Sequence, residues 1–168
     1  MEALEKMYGS LSLFSDINWK NVGLEFEMNF KDCSFPEYLQ HKALEGDCPL
    51  YLFELAFYEF AYHELQNLKT EKISEKGFHL NPTNHFLSLE FDVARMLKDS
   101  ESGKIEIHQR PHVLCLYKDL DGKNQSLEVN EQELNILQLL EDGPKKQFEP
   151  EQNELVSSLV KRGLILRE

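Results

Sequence analysis

The sequence predicts an α+β protein: a helical N-terminal half, residues 1–100, followed by a small winged-helix-like α+β module, residues 104–168. The first supporting observation is the stretch 49–65, which is apolar on nearly every side at helical spacing and predicts a buried central helix. The second is a change of apolar period, from helical spacing before Gly103 to strand-like alternation after it. The third is a hairpin pattern in the C-terminal part that precedes two further helical patterns.

The composition indicates a folded, acidic protein. Of the 168 residues, 41% are hydrophobic and 11% are aromatic, which is enough for a core and excludes wholesale disorder. The net charge is −12; residues 1–103 hold 9 Lys or Arg against 18 Asp or Glu, and residues 104–168 hold 9 against 12. This excess disfavours nucleic acid and anionic membranes, which bind clustered Lys and Arg, and it favours a partner with a basic patch.

The cysteines and the N-terminus bear on the compartment. Cys33, Cys48 and Cys115 are widely spaced and form no C-x-x-C, so we expect free thiols in a reducing compartment rather than a zinc ribbon or a disulfide framework. The N-terminus lacks an apolar core of signal-peptide length, and no run is long enough to cross a membrane. We therefore expect a cytoplasmic protein with no membrane partner. Its oligomeric state is left open.

The predicted central helix follows three shorter helices. At 17 residues, and with four Glu or His side chains inside it, the central helix is too short and too charged to span a bilayer. One of its faces is shared by Leu52, Leu55, Ala56, Glu59 and His63. Before it, the pattern predicts a weak helix over residues 2–14 that breaks at Gly9-Ser10. A second helix is capped at Ser15-Asp16, and a third starts at Pro36.

The elements after the central helix are predicted from changes of period and from turn residues. Residues 86–98 fit either a helix or a strand, and the spacing favours a helix in their second half. Five small or polar residues, 99–103, mark the internal boundary. Beyond it the pattern predicts strands over 104–108 and 113–118, a hairpin turn over 119–124 and a returning strand over 125–129. A helix then starts at Asn130, with Glu133 in a capping box, and stops at Asp142-Gly143-Pro144. A last helix over 150–162 is closed by Gly163 and is followed by a short strand over 164–166.

No side-chain pattern predicts catalysis. Glu59 and His63 lie one helical turn apart and could form a buried pair or two metal ligands; no second E-x-x-H is present, which favours the structural pair. His108 and His112 bracket Pro111 and form only a weak metal motif. Nucleophile motifs, phosphate loops and dinucleotide fingerprints do not occur in the sequence. We expect no enzyme activity, cofactor or metal in this chain; the alternative is a metal enzyme that uses Glu59, His63 and other histidines.

The winged-helix-like tail raises the possibility of DNA binding. Only residues 143–148 separate its two helices, which is too short for the middle helix of a helix-turn-helix. The tail has two basic pairs, Lys145-Lys146 and Lys161-Arg162. Three acidic residues at the start of the last helix would repel phosphates: Glu149, Glu151 and Glu154. The pattern disfavours nucleic acid, and a DNA-binding regulator with a degenerate winged helix is kept as the alternative function.

Two blocks of the sequence resemble a known family. The stretch 52–60, L-F-E-L-A-F-Y-E-F, together with Leu80-Asn-Pro and a segment leading into Arg110-Pro-His-Val-Leu, resembles the HvfC family. That family was long catalogued as DNA-binding, and its members are now seen as partner proteins of multinuclear non-haem iron oxidases that modify ribosomally made peptides. Phe60 stands where the family commonly has Trp, and the family's longer N-terminal helical segment is largely missing. The C-terminal block, residues 113–165, is similar to peptide-recognition elements of the PqqD type.

The resemblance implies a non-catalytic role with two partners, a precursor peptide and a metalloenzyme that holds the iron. In such recognition elements a leader peptide adds a strand beside the sheet and lies against the last helix. By their positions in the sequence, the residues expected to contact the peptide are Ser126, Leu127, Glu128 and Val129 on the hairpin arm, and Leu155 and Leu159 on the last helix. The alternative for the four apolar residues of this set is that their side chains belong to the hydrophobic core and contact no peptide.

Overall fold

The structure, a computed structural model, describes residues 2–30, 32–69 and 76–167. It is an α+β fold with a helical N-terminal half, which confirms the predicted fold class. The helices are α1 (Glu2–Met7), α2 (Leu11–Phe14), α3 (Trp19–Asn29), α4 (Phe35–Glu45), α5 (Leu50–Asn67), α6 (Val93–Glu101), α7 (Glu131–Glu141) and α8 (Asn153–Lys161). The strands are β1 (Phe78–Leu80), β2 (His85–Phe91), β3 (Gln109–Lys118), β4 (Asn124–Val129) and β5 (Ile165–Arg167).

The chain divides into two compact units, each made of two segments. The first unit comprises Met1–His63 and Leu89–Pro111, and the second comprises Glu64–Ser88 and His112–Glu168. The small polar residues 99–103, which the sequence pattern marks as a boundary, lie inside the first unit, where they form the end of α6 and the turn after it. Such residues satisfy helix-end carbonyl groups as readily as they form linkers.

The first unit is organised around α5, the predicted central helix. Leu52, Leu55 and Ala56 of this helix are fully buried. Other buried side chains of the unit come from α2, α4 and α6, and from the residue that directly follows α1: Tyr8, Leu11, Phe14, Phe35, Tyr38, Leu39, Val93 and Met96. Burial of this apolar surface, rather than helix propensity, stabilises the short helices α2 and α4.

The predicted cap of the second helix, Ser15-Asp16, is corrected to Asn18. Asn18 accepts a hydrogen bond from the backbone N–H of Asn21 at 3.2 Å and starts α3. Ser15 donates its hydroxyl back to the carbonyl oxygen of Leu11 at 3.4 Å, so it ends α2 instead. Ser, Asp and Asn side chains all cap helices well, and the contacts distinguish them: Asn18 accepts an N–H of the helix that follows, whereas Ser15 bonds the helix that precedes it.

Residues 86–98 contain both a strand and a helix, divided at Asp92. Alternation of buried Leu87 and Leu89 with exposed Ser88 and Glu90 identifies β2. Asp92 then caps α6 by accepting the backbone N–H of Arg95 at 3.1 Å. The helical spacing seen in the sequence is therefore correct for the second half of this stretch.

The strand predicted over residues 104–108 is wrong, because these residues form no ladder and β3 begins only at Gln109. Ile105 and Ile107 are 50% and 42% exposed. Alternating apolar and polar residues indicate a strand when the apolar side chains are buried on one face of a sheet. Here the apolar side chains reach solvent, so the alternation does not correspond to a strand.

The second unit holds most of the sheet structure and a core cluster of its own. β1 pairs antiparallel with β5, and a separate sheet has the order β2-β3-β4. The core cluster is formed by Cys115, Tyr117, Val129, Ile136, Leu137, Leu140, Val156, Leu159, Leu164 and Ile165. A capping box between Asn130 and Glu133 starts α7, as predicted. None of the described helices is long and apolar enough to cross a membrane.

Between α7 and α8 the chain makes no further α-helix. Lys145 forms an isolated antiparallel bridge with Phe78, in which the two backbones exchange hydrogen bonds of 2.8 and 3.0 Å. A single 3₁₀ turn, Pro150–Gln152, leads directly into α8. The described residues between α7 and α8 therefore contain no α-helix that could serve as the middle helix of a helix-turn-helix.

Candidate functional site

The candidate site is the outer edge of β4. Within residues 2–30, 32–69 and 76–167, β4 has a strand neighbour on one side only, β3. The register pairs Leu116 with Ser126 and Leu114 with Glu128. An edge strand of six residues that lacks a second neighbour carries a row of backbone groups suited to pairing with another extended chain.

Lys118 shows which backbone groups of β4 face outward. Its N–H donates to Thr83 Oγ1 at 2.8 Å, and its carbonyl oxygen accepts from Asn81 Nδ2 at 2.8 Å. Both groups point away from β4, so Lys118 and its partner Asn124 form a non-hydrogen-bonded pair. The two kinds of pair alternate along an antiparallel ladder, so every second residue of β4 shares this arrangement. The residues whose backbone groups face the outer edge are Asn124, Ser126 and Glu128.

The hairpin turn that precedes β4 is held by Asp119. One carboxylate oxygen accepts the backbone N–H groups of Asp121 and Lys123 at 3.0 and 2.9 Å, and the other accepts Gln125 Nε2 at 2.7 Å. These hydrogen bonds, led by that from Lys123, lower the pKa of Asp119 below its usual value. The start of β4 is therefore fixed by its own turn.

Arg162, which follows α8, lies at the other end of the edge. Its Nη2 donates to the outward-facing carbonyl oxygen of Glu128 at 3.4 Å. Its Nη1 forms an ion pair with Glu133, the same side chain that accepts the backbone N–H of Asn130 in the capping box of α7. Arg162 thus joins the end of β4 to the start of α7. In the sequence it stood out only as half of a basic pair.

A buried hydrogen-bond network holds the backbone on which Arg162 is placed. Asn81 Nδ2 donates to the carbonyl oxygens of Lys118 and Gly163, both at 2.8 Å. Its Oδ1 accepts from the backbone and the hydroxyl of Thr83 at 3.0 and 2.7 Å. Tyr117 donates its hydroxyl to the carbonyl oxygen of Arg162 at 2.8 Å. The turn at Asn81, visible in the sequence only as a turn, therefore positions the edge.

The structure divides the six predicted peptide-site residues into three pairs. The exposed side chains are those of Ser126 and Glu128. The side chains buried in the core cluster are those of Val129 and Leu159. The partly buried side chains packed against that cluster are those of Leu127 and Leu155. Of the four apolar residues, Leu127 and Leu155 therefore keep some exposed surface, whereas Leu159 is 0% and Val129 4% exposed.

The residues that carry the family resemblance are structural. The carboxylate of Glu54, in the L-F-E-L-A stretch, accepts the backbone N–H of Glu90 and of Phe91 at 2.9 Å each. Asn81 ties three backbone segments together as described above. Arg110 contacts Asp92, the cap of α6, through Nη2 at 2.9 Å. These contacts explain why such residue types occur at these positions without assigning chemistry to them.

The histidines singled out in the sequence fall in two different settings. Glu59 and His63 are not part of any group of three or more metal-ligating side chains among the described residues. His108 is part of such a group, with Asp99 and Glu106.

No protein-family model matches the sequence, and comparison with curated proteins gives no significant match.

Proposed function

We propose that this protein is a non-catalytic adaptor that binds an extended segment of a precursor peptide along the outer edge of β4 and presents it to an iron-dependent oxidase of the multinuclear non-haem type. The observation that carries the proposal is the edge itself, where alternate residues of β4 direct their backbone groups away from β3. A peptide in extended conformation can pair with the outward groups of Asn124 and Ser126 and lengthen the sheet by one strand, whereas the carbonyl oxygen of Glu128 already accepts a hydrogen bond from Arg162. The iron would belong to the oxidase.

The side chains around the edge favour a peptide with basic and apolar residues. Exposed acidic side chains stand on and beside β4: Asp121, Glu128 and Glu131. The net charge of −12 adds long-range attraction for a basic segment. Leu127 and Leu155 supply partly exposed apolar surface against which alternate side chains of the peptide can pack.

The choice of an oxidase as the second partner rests on the resemblance to the HvfC family. Within that resemblance Glu54 has a structural role, because its buried carboxylate accepts the backbone N–H of Phe91. An adaptor of this kind needs a rigid recognition edge and a separate surface for the enzyme, and the division of the chain into two compact units provides two candidate surfaces.

The test is a co-purification from native lysate with matched variants at Ser126. The backbone N–H of Ser126 faces away from β3, so Ser126→Pro removes one outward donor without breaking the β3–β4 ladder. Ser126→Ala keeps the N–H and serves as the control. We expect the wild-type chain and Ser126→Ala to retain a short peptide and an oxidase, and Ser126→Pro to bind that peptide about 10-fold more weakly or worse.

Two outcomes would contradict the adaptor. Equal peptide retention by Ser126→Pro and Ser126→Ala, with unchanged thermal unfolding of both, would remove the edge of β4 from the interface. Recovery of DNA that is released by salt would favour the regulator instead, because binding through phosphates weakens steeply as salt rises. In that case Lys145 and Lys146 would be the residues to replace.

A further inference from the structure

We propose that Asp99, Glu106 and His108 form a binding site for a divalent transition-metal ion of the Zn²⁺ class, independent of the edge of β4. All three residues belong to the first unit. His108 Nε2 lies 2.9 Å from Asp99 Oδ2 and 3.7 Å from Glu106 Oε2. Ligand atoms that share a tetrahedral zinc ion lie about 3.4 Å apart, given metal–ligand distances of about 2.1 Å. The observed separations bracket that value.

The backbone on both sides of the cluster is held in place. The carbonyl oxygen of Asp99 accepts the N–H groups of Ser102 and Lys104 at 3.0 and 3.1 Å, which turns the chain back after α6. The carbonyl oxygen of His108 accepts the N–H of Asp92, the cap of α6, at 2.8 Å. Both ends of the segment that carries Glu106 and His108 are therefore tied to α6. A site whose ligands are positioned beforehand loses less conformational entropy when it binds an ion.

The donor set and its surroundings suit a cation of this class. One imidazole nitrogen and two carboxylate oxygens favour Zn²⁺ and its neighbours over Mg²⁺ or Ca²⁺, which take oxygen ligands only. Asp99 lies in the last turn of α6, where the negative end of the helix dipole also favours a cation. The Asp99 and His108 side chains are 27% and 18% exposed and that of Glu106 is 59% exposed, so a bound ion would be shielded on the side of Asp99 and His108 and open to solvent on the side of Glu106.

Arg95 competes for the same carboxylate. Its Nε lies 3.6 Å from Asp99 Oδ2, and the arginine side chain is 61% exposed. An exposed pair of this kind contributes little to stability, so the guanidinium can turn into solvent when an ion binds. This competition provides a test with a defined sign: Arg95→Gln should tighten metal binding, whereas removing a ligand should weaken it.

The experiment is a titration of the full chain with Zn²⁺ against a chromophoric chelator, repeated with Co²⁺ to record its visible spectrum. We expect one equivalent to bind, with Co²⁺ d–d bands and without a thiolate charge-transfer band. His108→Asn should weaken Zn²⁺ binding about 100-fold or more, as should Asp99→Asn. His41→Asn, which changes an exposed histidine on α4, is the matched control and should bind as the wild type does.

Three results would overturn the site. Equal affinity of His108→Asn and the wild type would remove His108 from the ligand set. A thiolate band would assign the bound ion to cysteine. Absence of saturable binding by wild type and by Arg95→Gln alike would show that the cluster is only an ion-pair network. Circular dichroism and thermal unfolding of each metal-free variant would separate loss of a ligand from loss of the fold.

Discussion

The side-chain amide of Asn81 donates a hydrogen bond of 2.8 Å to the backbone carbonyl oxygen of Gly163, which lies 82 positions further along the chain. Asn81 is 4% exposed, and the same amide group bonds the carbonyl oxygen of Lys118. One asparagine thus joins the turn after β1, the end of β3 and the turn before β5. The edge of β4 depends on this junction, because β3 and Arg162 are both positioned by it.

Asn81→Ala is expected to destabilise the second unit by about 2–4 kcal/mol, because it leaves two carbonyl oxygens and the Thr83 hydroxyl without their partner in a buried place. The measurement is hydrogen exchange of the amide groups of β3 and β4, which reports the opening of this unit residue by residue. Thr83→Ser is the control, since it keeps the hydroxyl that bonds Asn81 and Lys118. Unchanged protection in Asn81→Ala would contradict the role of the junction.

Arg162→Ala is expected to cost about 1–2 kcal/mol, because it leaves the carboxylate of Glu133, whose side chain is 9% exposed, without its cation. Glu133→Gln alone should cost a similar amount, since it also weakens the capping box of α7. A double-mutant cycle on the two residues, measured by urea unfolding, isolates their coupling. Strictly additive effects would mean that the ion pair contributes nothing to stability.

Glu54→Gln is expected to destabilise the first unit by about 1–3 kcal/mol. Both carboxylate oxygens of Glu54 accept the backbone N–H of Glu90, at 2.9 and 3.0 Å. One of these oxygens, Oε2, also accepts the backbone N–H of Phe91. A glutamine offers one acceptor oxygen and turns a donor toward these N–H groups. Fluorescence of Trp19, the single tryptophan and a residue of the first unit, follows the unfolding. Faster exchange of the amides of Glu90 and Phe91 should accompany the loss.

The sequence predicts α5, the β3–β4 hairpin and the capped start of α7 because their signals are local. Residues 49–65 carry their own helical pattern, and Asn130 with Glu133 forms a capping box within four positions. The hairpin likewise depends on the short turn between its strands, where Asp119 contacts its own neighbours. Local chemistry of this kind does not require knowledge of distant partners.

The elements that the sequence did not reveal depend on distant pairing. β1 exists because Phe78 to Leu80 meet β5 at the far end of the chain. The alternating residues 104–108 form no strand ladder in the part of the chain that the structure describes. The candidate site also depends on distant contacts. The backbone groups of β4 that face outward are identified by the hydrogen bonds that Lys118 makes with Asn81 and Thr83. Arg162 reaches the edge only once α8 packs against the core cluster.

Cys115 is expected to resist alkylation in the folded protein. Its thiol is fully buried, and burial raises the pKa of Cys115 to about 12, so little reactive thiolate forms at neutral pH. Cys33 and Cys48 are partly exposed and should react first. Labelling with a maleimide, followed by peptide mass spectrometry with and without urea, gives the order of modification. Rapid labelling of Cys115 in the absence of urea would show that the core of the second unit opens readily.

Glu59 on α5 is expected to make the first unit less stable as pH rises from about 4.5 to 7. Burial raises the pKa of its carboxyl from 4.5 to about 7, against a smaller opposite effect of Ser10, and Glu59 Oε2 has no hydrogen-bond partner among the described residues. The folded state therefore holds a proton that the unfolded state has released across this interval. Stability is highest below the unfolded pKa and falls by about 2–3 kcal/mol as pH passes through the folded pKa.

Glu59→Gln removes this proton linkage while keeping the shape of the side chain. The difference between wild type and variant in the free energy of unfolding, followed through Trp19 fluorescence from pH 4.5 to 8, isolates the contribution of Glu59 from that of the other carboxyl groups. We expect the variant to be more stable than the wild type at pH 8 and the two curves to converge toward pH 4.5. Parallel curves across the whole interval would show that the carboxyl of Glu59 titrates alike in the folded and unfolded chain.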